Sequence, residues 1–134
     1  MVTLAPELNG AIPLIEFLTK SGVVCSVGHS ESDSVAFEAG IAAGMTHAAH
    51  LWSGQSSVHR RDLQRVAGVL EMVLSRPEMT GEVIADDTHL PPELLRIAAM
   101  CLGQDRLCLV SDSSPGSGLA DGETFCLGET DAYV

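Results

Sequence analysis

Histidine and aspartate residues follow four apolar segments of the sequence, each at the point where the segment ends. His29 and His50 follow the first two of these segments, and His89 and Asp112 follow two more. Neutral imidazoles bind Zn²⁺ or Fe²⁺ and leave coordination positions open for water. A nearby carboxylate can take a proton from that water and return it to a leaving group. These residue types predict metal-assisted hydrolysis, with His29 and His50 as metal ligands and Asp112 as the catalytic base.

The elements that must position these residues are short strands alternating with helices. Such alternation predicts an α/β fold with a parallel sheet, either open or forming part of a (β/α)₈ TIM-type barrel. A complete barrel needs about 250 residues, so a chain of 134 residues is expected to form one partial barrel domain, 1–134, with about five parallel strands. The predicted strands are 2–5, 23–27, 46–51, 80–85 and 107–110. The predicted helices are 7–20, 32–43, 63–74 and 91–101. We also predict a polar loop at 53–62 and a short strand near Phe125.

The carboxyl ends of parallel strands meet at one rim, which is where α/β folds build their sites. A single histidine after a strand is more often a hydrogen-bonded structural residue, but four strands in succession deliver polar residues to this rim. His47 precedes His50 by three residues, so the two side chains point to opposite faces of a strand. We therefore expect His47 to be structural or at most a supporting group. Asp86 and Asp87 are either rim ligands or ordinary turn residues.

Charge excludes some function classes. The net charge is −11 and only seven residues are Lys or Arg, which argues against nucleic acid or an anionic membrane as a partner. Three of the seven, Arg60, Arg61 and Arg65, lie beside His59. This cluster is either an exposed helix start or a site where guanidinium groups bind a phosphate. His59 is either a solvated loop residue or a substrate contact.

Cysteine usage and the absence of targeting signals predict a cytoplasmic protein. The four cysteines show no C-x-x-C spacing, and Cys25 and Cys108 lie in apolar segments where a reduced, buried thiol is the usual arrangement. The start of the chain lacks the basic and apolar regions of a secretory signal. No apolar run approaches the roughly 20 residues of a membrane span.

Several short motifs together carry a resemblance to a known family. The segments "VTLAPE", "CSVGHS", "THAAHLW", "VIADDTHLPPELL" and "DRLCLVSDSSPGSGLADGE" occur in this order from Val2 to about Gly128. In this order they resemble the N-acetylglucosamine-6-phosphate deacetylases of the amidohydrolase superfamily. The resemblance implies an eight-stranded barrel with a divalent metal, Zn or Fe, at its carboxyl rim. By that alignment the chain covers strands four to eight and lacks the first three strands and the small β domain.

The resemblance also assigns roles to individual residues. It implies that His29 and His50 bind the metal, that Asp112 is the acid/base aspartate, and that His89 and Arg61 contact the sugar phosphate. Ser53 and Gly54 stand where the family has an Asn-Ala pair that meets the phosphate. The sequences "ADDTH" and "SDSS" replace the family's commoner "ADG-x-H" and "TDA", and these changes bear on the sugar more than on the chemistry.

The family's third metal ligand is absent from this sequence. An upstream "HLEGP"-type segment supplies a metal-binding glutamate in the family, and a further histidine polarises the acetyl carbonyl. Neither motif occurs here, and Glu7 is not assigned to that role. We therefore expect deacetylation of an N-acetylated amino sugar phosphate, impaired in this chain alone, with a homo-oligomer or a second chain completing the barrel. The alternatives are another hydrolase of the superfamily, acting on a cyclic amide, a lactone or another acyl sugar, and an inert fragment that acts as an oligomerising or binding module.

Overall fold

The computed structural model describes all residues of the chain, 1–134. Five strands form one parallel sheet, and two separate hairpins contain the other four strands. In chain order the elements are β1 (Val2–Leu4), α1 (Ala11–Lys20), β2 (Cys25–Val27), α2 (Ser34–Ala42), β3 (Met45–Ala48), β4 (His59–Arg61), β5 (Gln64–Val66), α3 (Val69–Ser75), β6 (Thr80–Val83), α4 (Pro92–Arg106), β7 (Leu107–Leu109), β8 (Thr124–Leu127) and β9 (Thr130–Tyr133).

The main sheet follows the order of the chain, β1-β2-β3-β6-β7, and every neighbouring pair is parallel. One helix lies between each pair of consecutive strands in this sheet. Sequential parallel strands joined by helices are the arrangement found in a segment of a (β/α)₈ barrel. The predicted α/β class with five parallel strands is confirmed. β1 and β7 are the two edges of the sheet.

The core lies where the helices pack against the sheet. Phe37 from α2, Ile15 from α1 and Val73 from α3 are fully buried, together with Val27 and Met45 from the strands. Because aliphatic side chains build most of this core, few aromatic residues are needed. Packing of the helices on one face fixes the strands side by side and brings their carboxyl ends to one rim. No helix is both long and apolar enough to cross a membrane.

The start of the third predicted helix is wrong. The prediction placed this helix at 63–74, but α3 begins at Val69, directly after Gly68. The Gly68 amide donates to Glu71 Oε2 at 2.8 Å, and Ser57 Oγ donates to Glu71 Oε1 at 2.7 Å. Burial raises the pKa of Glu71, but these hydrogen bonds outweigh burial and hold the pKa below its ordinary value. This capping by Glu71 fixes the first turn of α3 after Gly68.

The basic cluster forms a β-hairpin rather than a helix start. β4 and β5 pair antiparallel, with Arg60 directly opposite Arg65. Asp62 occupies the turn with φ of 55°, in the left-handed region that aspartate tolerates better than most residues. The polar loop predicted at 53–62 therefore ends at His59, where the hairpin begins.

The environment of Cys108 also differs from the prediction. Cys25 is fully buried, but Cys108 is exposed. β7 is an edge strand, and its last two residues, Cys108 and Leu109, are both exposed. An apolar segment on the edge of an open sheet is not covered by a neighbouring strand, which explains the difference.

Candidate active site at the carboxyl ends of the strands

His29 and His50 lie side by side just beyond the ends of β2 and β3. Their ring centroids are 4.9 Å apart and their planes cross at 80°, so one ring meets the other edge-on. The His50 ring is buried, and its Nδ1 atom has no hydrogen-bond partner, whereas His29 is exposed. A buried imidazole nitrogen without a partner is rare in folded proteins. The arrangement leaves one ring nitrogen of His50 available to a ligand.

A cavity of about 570 Å³ joins this histidine pair to Asp112. Its lining also includes Glu82 from β6. Three residues predicted to act together, His29, His50 and Asp112, thus line one cavity although β2, β3 and β7 deliver them separately. A carboxylate and two imidazoles in one cavity suit chemistry that moves a proton beside a polarised group.

The backbone is strained at these same three residues. His29, His50 and Asp112 have φ values of 47°, 25° and 49°. Positive φ is uncommon for residues other than glycine and costs on the order of 1–3 kcal/mol. Strained backbone of this kind clusters at functional sites, where the surrounding structure holds it in place.

Gly54 and Ser53 lie directly beside the histidine pair. A Cβ atom on Gly54 would stand 2.5 Å from His29 Nδ1, and the φ of Gly54 is 82°. Only glycine allows both this backbone conformation and this close approach. The Ser53 amide donates to the His50 carbonyl at 3.0 Å. The two residues thus shape the surroundings of both rings.

Glu7 holds the loop that follows His29. Its carboxylate accepts a hydrogen bond from Ser30 Oγ at 2.8 Å and another from the Glu31 amide at 2.9 Å. Sequence reasoning assigned Glu7 no role. Its position after β1, at the same rim, was the available signal. Glu7 connects the first two strand ends and so supports the His29 backbone.

His89 lies on the same rim after β6 but does not line the cavity of His29 and His50. Asp86 orients it, because Asp86 Oδ2 is 2.8 Å from His89 Nδ1. Asp86 Oδ1 accepts from the amides of Thr88 and His89, at 3.0 Å and 2.9 Å. Asp86 is thus a turn residue that fixes the His89 ring, and Nδ1 of that ring faces its carboxylate.

These hydrogen bonds lead to a prediction about Asp86. Backbone hydrogen bonds from His89 and Thr88, and then the His89 side chain, lower the pKa of Asp86 from 3.8 to about 2. A depressed folded-state pKa stabilises the fold above pH 3.8, and this contribution is lost as the pH falls towards 2. Carboxyl NMR titration should therefore give a midpoint near 2.

His89→Ala provides the control for this titration. It should raise the midpoint only in part, because the two backbone amides still donate to Asp86. A wild-type midpoint at the ordinary value of 3.8 would contradict this account of the turn.

Arg61 lies in a different cavity from the histidine pair. This second cavity, of about 390 Å³, is lined by Arg61 and His59 from the hairpin and by Glu31, Asp33 and Ser57. Arg61 and the predicted metal ligands are therefore not brought together within one chain. The cavity contains both acidic and basic groups, which suits a ligand bearing both an anionic and a polar or cationic group.

The residues at the rim fit two positions around a divalent metal. His29 and His50 are imidazoles, the unpartnered Nδ1 of His50 is a free donor atom, and imidazole suits Zn²⁺ and Fe²⁺. Catalytic zinc sites normally have three protein ligands. The chain nowhere gathers three or more histidine, cysteine, aspartate or glutamate side chains able to hold a metal. The donor set fits a metal and is one ligand short of a usual catalytic site.

This fold defines a partial (β/α)₈ barrel, and polar side chains gather at the carboxyl rim of its strands. Comparison with known proteins agrees. The N-acetylglucosamine-6-phosphate deacetylase of Vibrio furnissii is 35% identical over 96% of this chain, and the human enzyme of that name is 36% identical over the whole chain. No protein-family model matches the chain.

A solved structure extends the similarity to the fold. An N-acetyl-D-glucosamine-6-phosphate deacetylase variant from Mycobacterium smegmatis, in complex with N-acetyl-D-glucosamine-6-phosphate, superimposes on the whole chain with a TM-score of 0.87 and 34% identity. The predicted resemblance to these deacetylases, and the partial TIM-type barrel, are confirmed. The chain spans 31% and 32% of the two relatives and 34% of the solved chain, so it is similar to about one third of such an enzyme.

Proposed function

We propose that this chain is part of a metal-dependent hydrolase that removes the acetyl group from an N-acetylated amino sugar phosphate. The observation that carries the proposal is the pairing of His29 with His50 in one cavity with Asp112. The names of the relatives supply the substrate class. The products would be acetate and an amino sugar phosphate.

Each residue has a role in this proposal. His29 and His50 would hold the metal, Zn or Fe, which would act as a Lewis acid towards the amide carbonyl. Asp112 takes a proton from the attacking water and then gives a proton to the departing amine nitrogen. The exposure of Asp112 at the cavity allows both transfers.

Four further residues would bind the substrate. His89, oriented by Asp86, would contact the sugar. Ser53 and Gly54, which stand where the family has its phosphate-contacting pair, would contact the phosphate of the substrate. Arg61 would pair with the phosphate through its guanidinium group. Because Arg61 lines a separate cavity of this chain, its proposed contact is to substrate held by another chain or by a completed barrel.

A second chain would complete the barrel. Unpaired edges at β1 and β7 present free amide and carbonyl groups, which proteins normally cover or pair. A catalytic metal site also needs a third protein ligand, which a second chain could supply because this chain gathers no group of three. We propose pairing with another copy, or with a chain that supplies the rest of the barrel. We also propose a cytoplasmic location, because the four cysteines are free and thiols stay reduced in the cytoplasm.

Metal analysis of the purified chain tests the proposed function. We expect about one Zn or Fe per chain, lost when His29→Ala and His50→Ala are combined, because both ligand positions are then empty. The matched control combines His59→Ala with His89→Ala. It removes two exposed histidines outside the histidine pair and should retain the metal. Equal metal content in both double variants would contradict the assignment of His29 and His50.

A second candidate function follows from the missing third ligand. On this alternative the chain is an inert module that oligomerises or binds a ligand without turnover. Absence of metal in both the wild-type chain and the double variant would favour the inert module and count against the hydrolase.

A further inference from the structure

Glu82 places a carboxylate inside the main sheet, where charged groups are rare. It lies on β6 between Gly81 and Val83, which are both buried. Its side chain is only 12% exposed. A charge in such a place is costly unless hydrogen bonds or an opposite charge compensate it. Its partners therefore indicate what the residue does.

Both oxygens of the Glu82 side chain are occupied by neighbours from the β3 segment. His47 Nε2 is 2.9 Å from Oε1, and the His50 amide donates to Oε2 at 3.3 Å. The backbone carbonyl of Glu82 also accepts from the Leu51 amide at 2.8 Å. One residue of β6 thus holds two successive amides of the segment that carries His50.

His47 fixes the Glu82 carboxylate in turn. Its side chain is 10% exposed, and its Nδ1 atom is 2.5 Å from Thr80 Oγ1, which also belongs to β6. Both ring nitrogens of His47 are therefore engaged, which agrees with the structural role predicted for it. The His47 ring is held from two sides, so the carboxylate bonded to it has little freedom to turn away from His50.

His50 needs such support, because its backbone lies in the left-handed region and its buried ring has an unpartnered nitrogen. We propose that Glu82 is a positioning residue for His50. The Glu82 carboxylate, anchored by His47, holds the His50 amide and thereby aims the His50 ring into the rim cavity. The effect of Glu82 on metal binding rests on the proposed function, whereas its hold on the His50 amide does not.

Hydrogen exchange of the whole, metal-free chain, followed by NMR, tests the positioning. In Glu82→Ala the His50 amide should exchange about tenfold faster, because one hydrogen bond is lost. The Leu51 amide should keep its protection, because it bonds to the backbone carbonyl of Glu82. His47→Ala should also accelerate His50, although His47 makes no hydrogen bond to it.

Two further variants keep the test decisive. Glu82→Gln keeps the shape of the side chain but offers the His50 amide a neutral acceptor in place of a charged one, so it should give an intermediate acceleration at His50 even if Glu82→Ala fails to fold. Glu78→Gln changes an exposed glutamate just before β6 and should change nothing. Unchanged exchange of His50 in Glu82→Gln, or equal acceleration of His50 and Leu51, would overturn the proposal.

Zinc titration of the same variants separates this inference from the proposed function. If the wild-type chain binds Zn²⁺, Glu82→Ala should weaken binding about 10- to 100-fold, and Glu78→Gln should not. A wild-type chain that binds no Zn²⁺ would count against the metal site of the proposed function. The exchange measurements would still decide whether Glu82 positions His50.

Discussion

Asp112→Asn is expected to lower amide hydrolysis about 10²- to 10⁴-fold, the usual contribution of a general acid–base group. The assay uses a hybrid enzyme in which this chain replaces the matching third of the Vibrio furnissii deacetylase, so that the third ligand and the remaining strands are supplied. Asparagine also tolerates positive φ, and the backbone at 112, with φ of 49°, should remain in place. Acetate release from N-acetylglucosamine 6-phosphate measures the loss.

The control for this prediction is Asp105→Asn, which changes an exposed aspartate on α4 and should leave the rate unchanged. If the Asp112→Asn hybrid released acetate at the rate of its parent, Asp112 would not be the base. A folded parent hybrid that released no acetate would count against the proposed function itself.

Gly54→Ala is expected to displace the His29 ring and weaken Zn²⁺ binding on the order of 10- to 100-fold, as changes next to metal ligands do. The added Cβ would lie 2.5 Å from Nδ1 and 2.9 Å from Cε1 of His29. The ring is an exposed side chain and can move, so the fold should lose only the cost of positive φ, about 1–2 kcal/mol. Competition with a chromophoric chelator measures the affinity, and thermal unfolding measures the stability.

Gly10→Ala is the matched control for this second prediction. Gly10 has the same φ of 82°, but a Cβ there would meet nothing within 4 Å. Both variants should lose similar stability, and only Gly54→Ala should lose Zn²⁺ affinity. Equal Zn²⁺ affinity in the two variants would show that contact with Gly54 does not set the position of His29.

The strands and the rim could be predicted from sequence because each depends on a local pattern. The segment that ends at Val27 is apolar, so burial determines it, and His29 and His50 reach one rim because parallel strands share a direction. The hairpin was missed because the basic residues of 59–65 resemble a polar loop followed by a helix. Its formation depends on the turn at Asp62 and on the cap that Glu71 provides for α3.

Other features of the site depend on contacts between distant segments and could not be predicted. Glu82 bonds to residues that lie 35 and 32 positions earlier in the chain, and a single charged residue in an apolar strand was the only signal. The hairpin places Arg61 in a cavity separate from that of the histidine pair, and this placement depends on a turn whose geometry the spacing of the basic residues does not reveal.

The left-handed backbone at His29 and Asp112 also bears on why these two residue types carry a cost in stability. Both side chains are exposed, so neither contributes much to the core. Glycine would relieve the strain at both positions. Under the proposed function, that cost in stability is the counterpart of placing an imidazole and a carboxylate at the rim cavity.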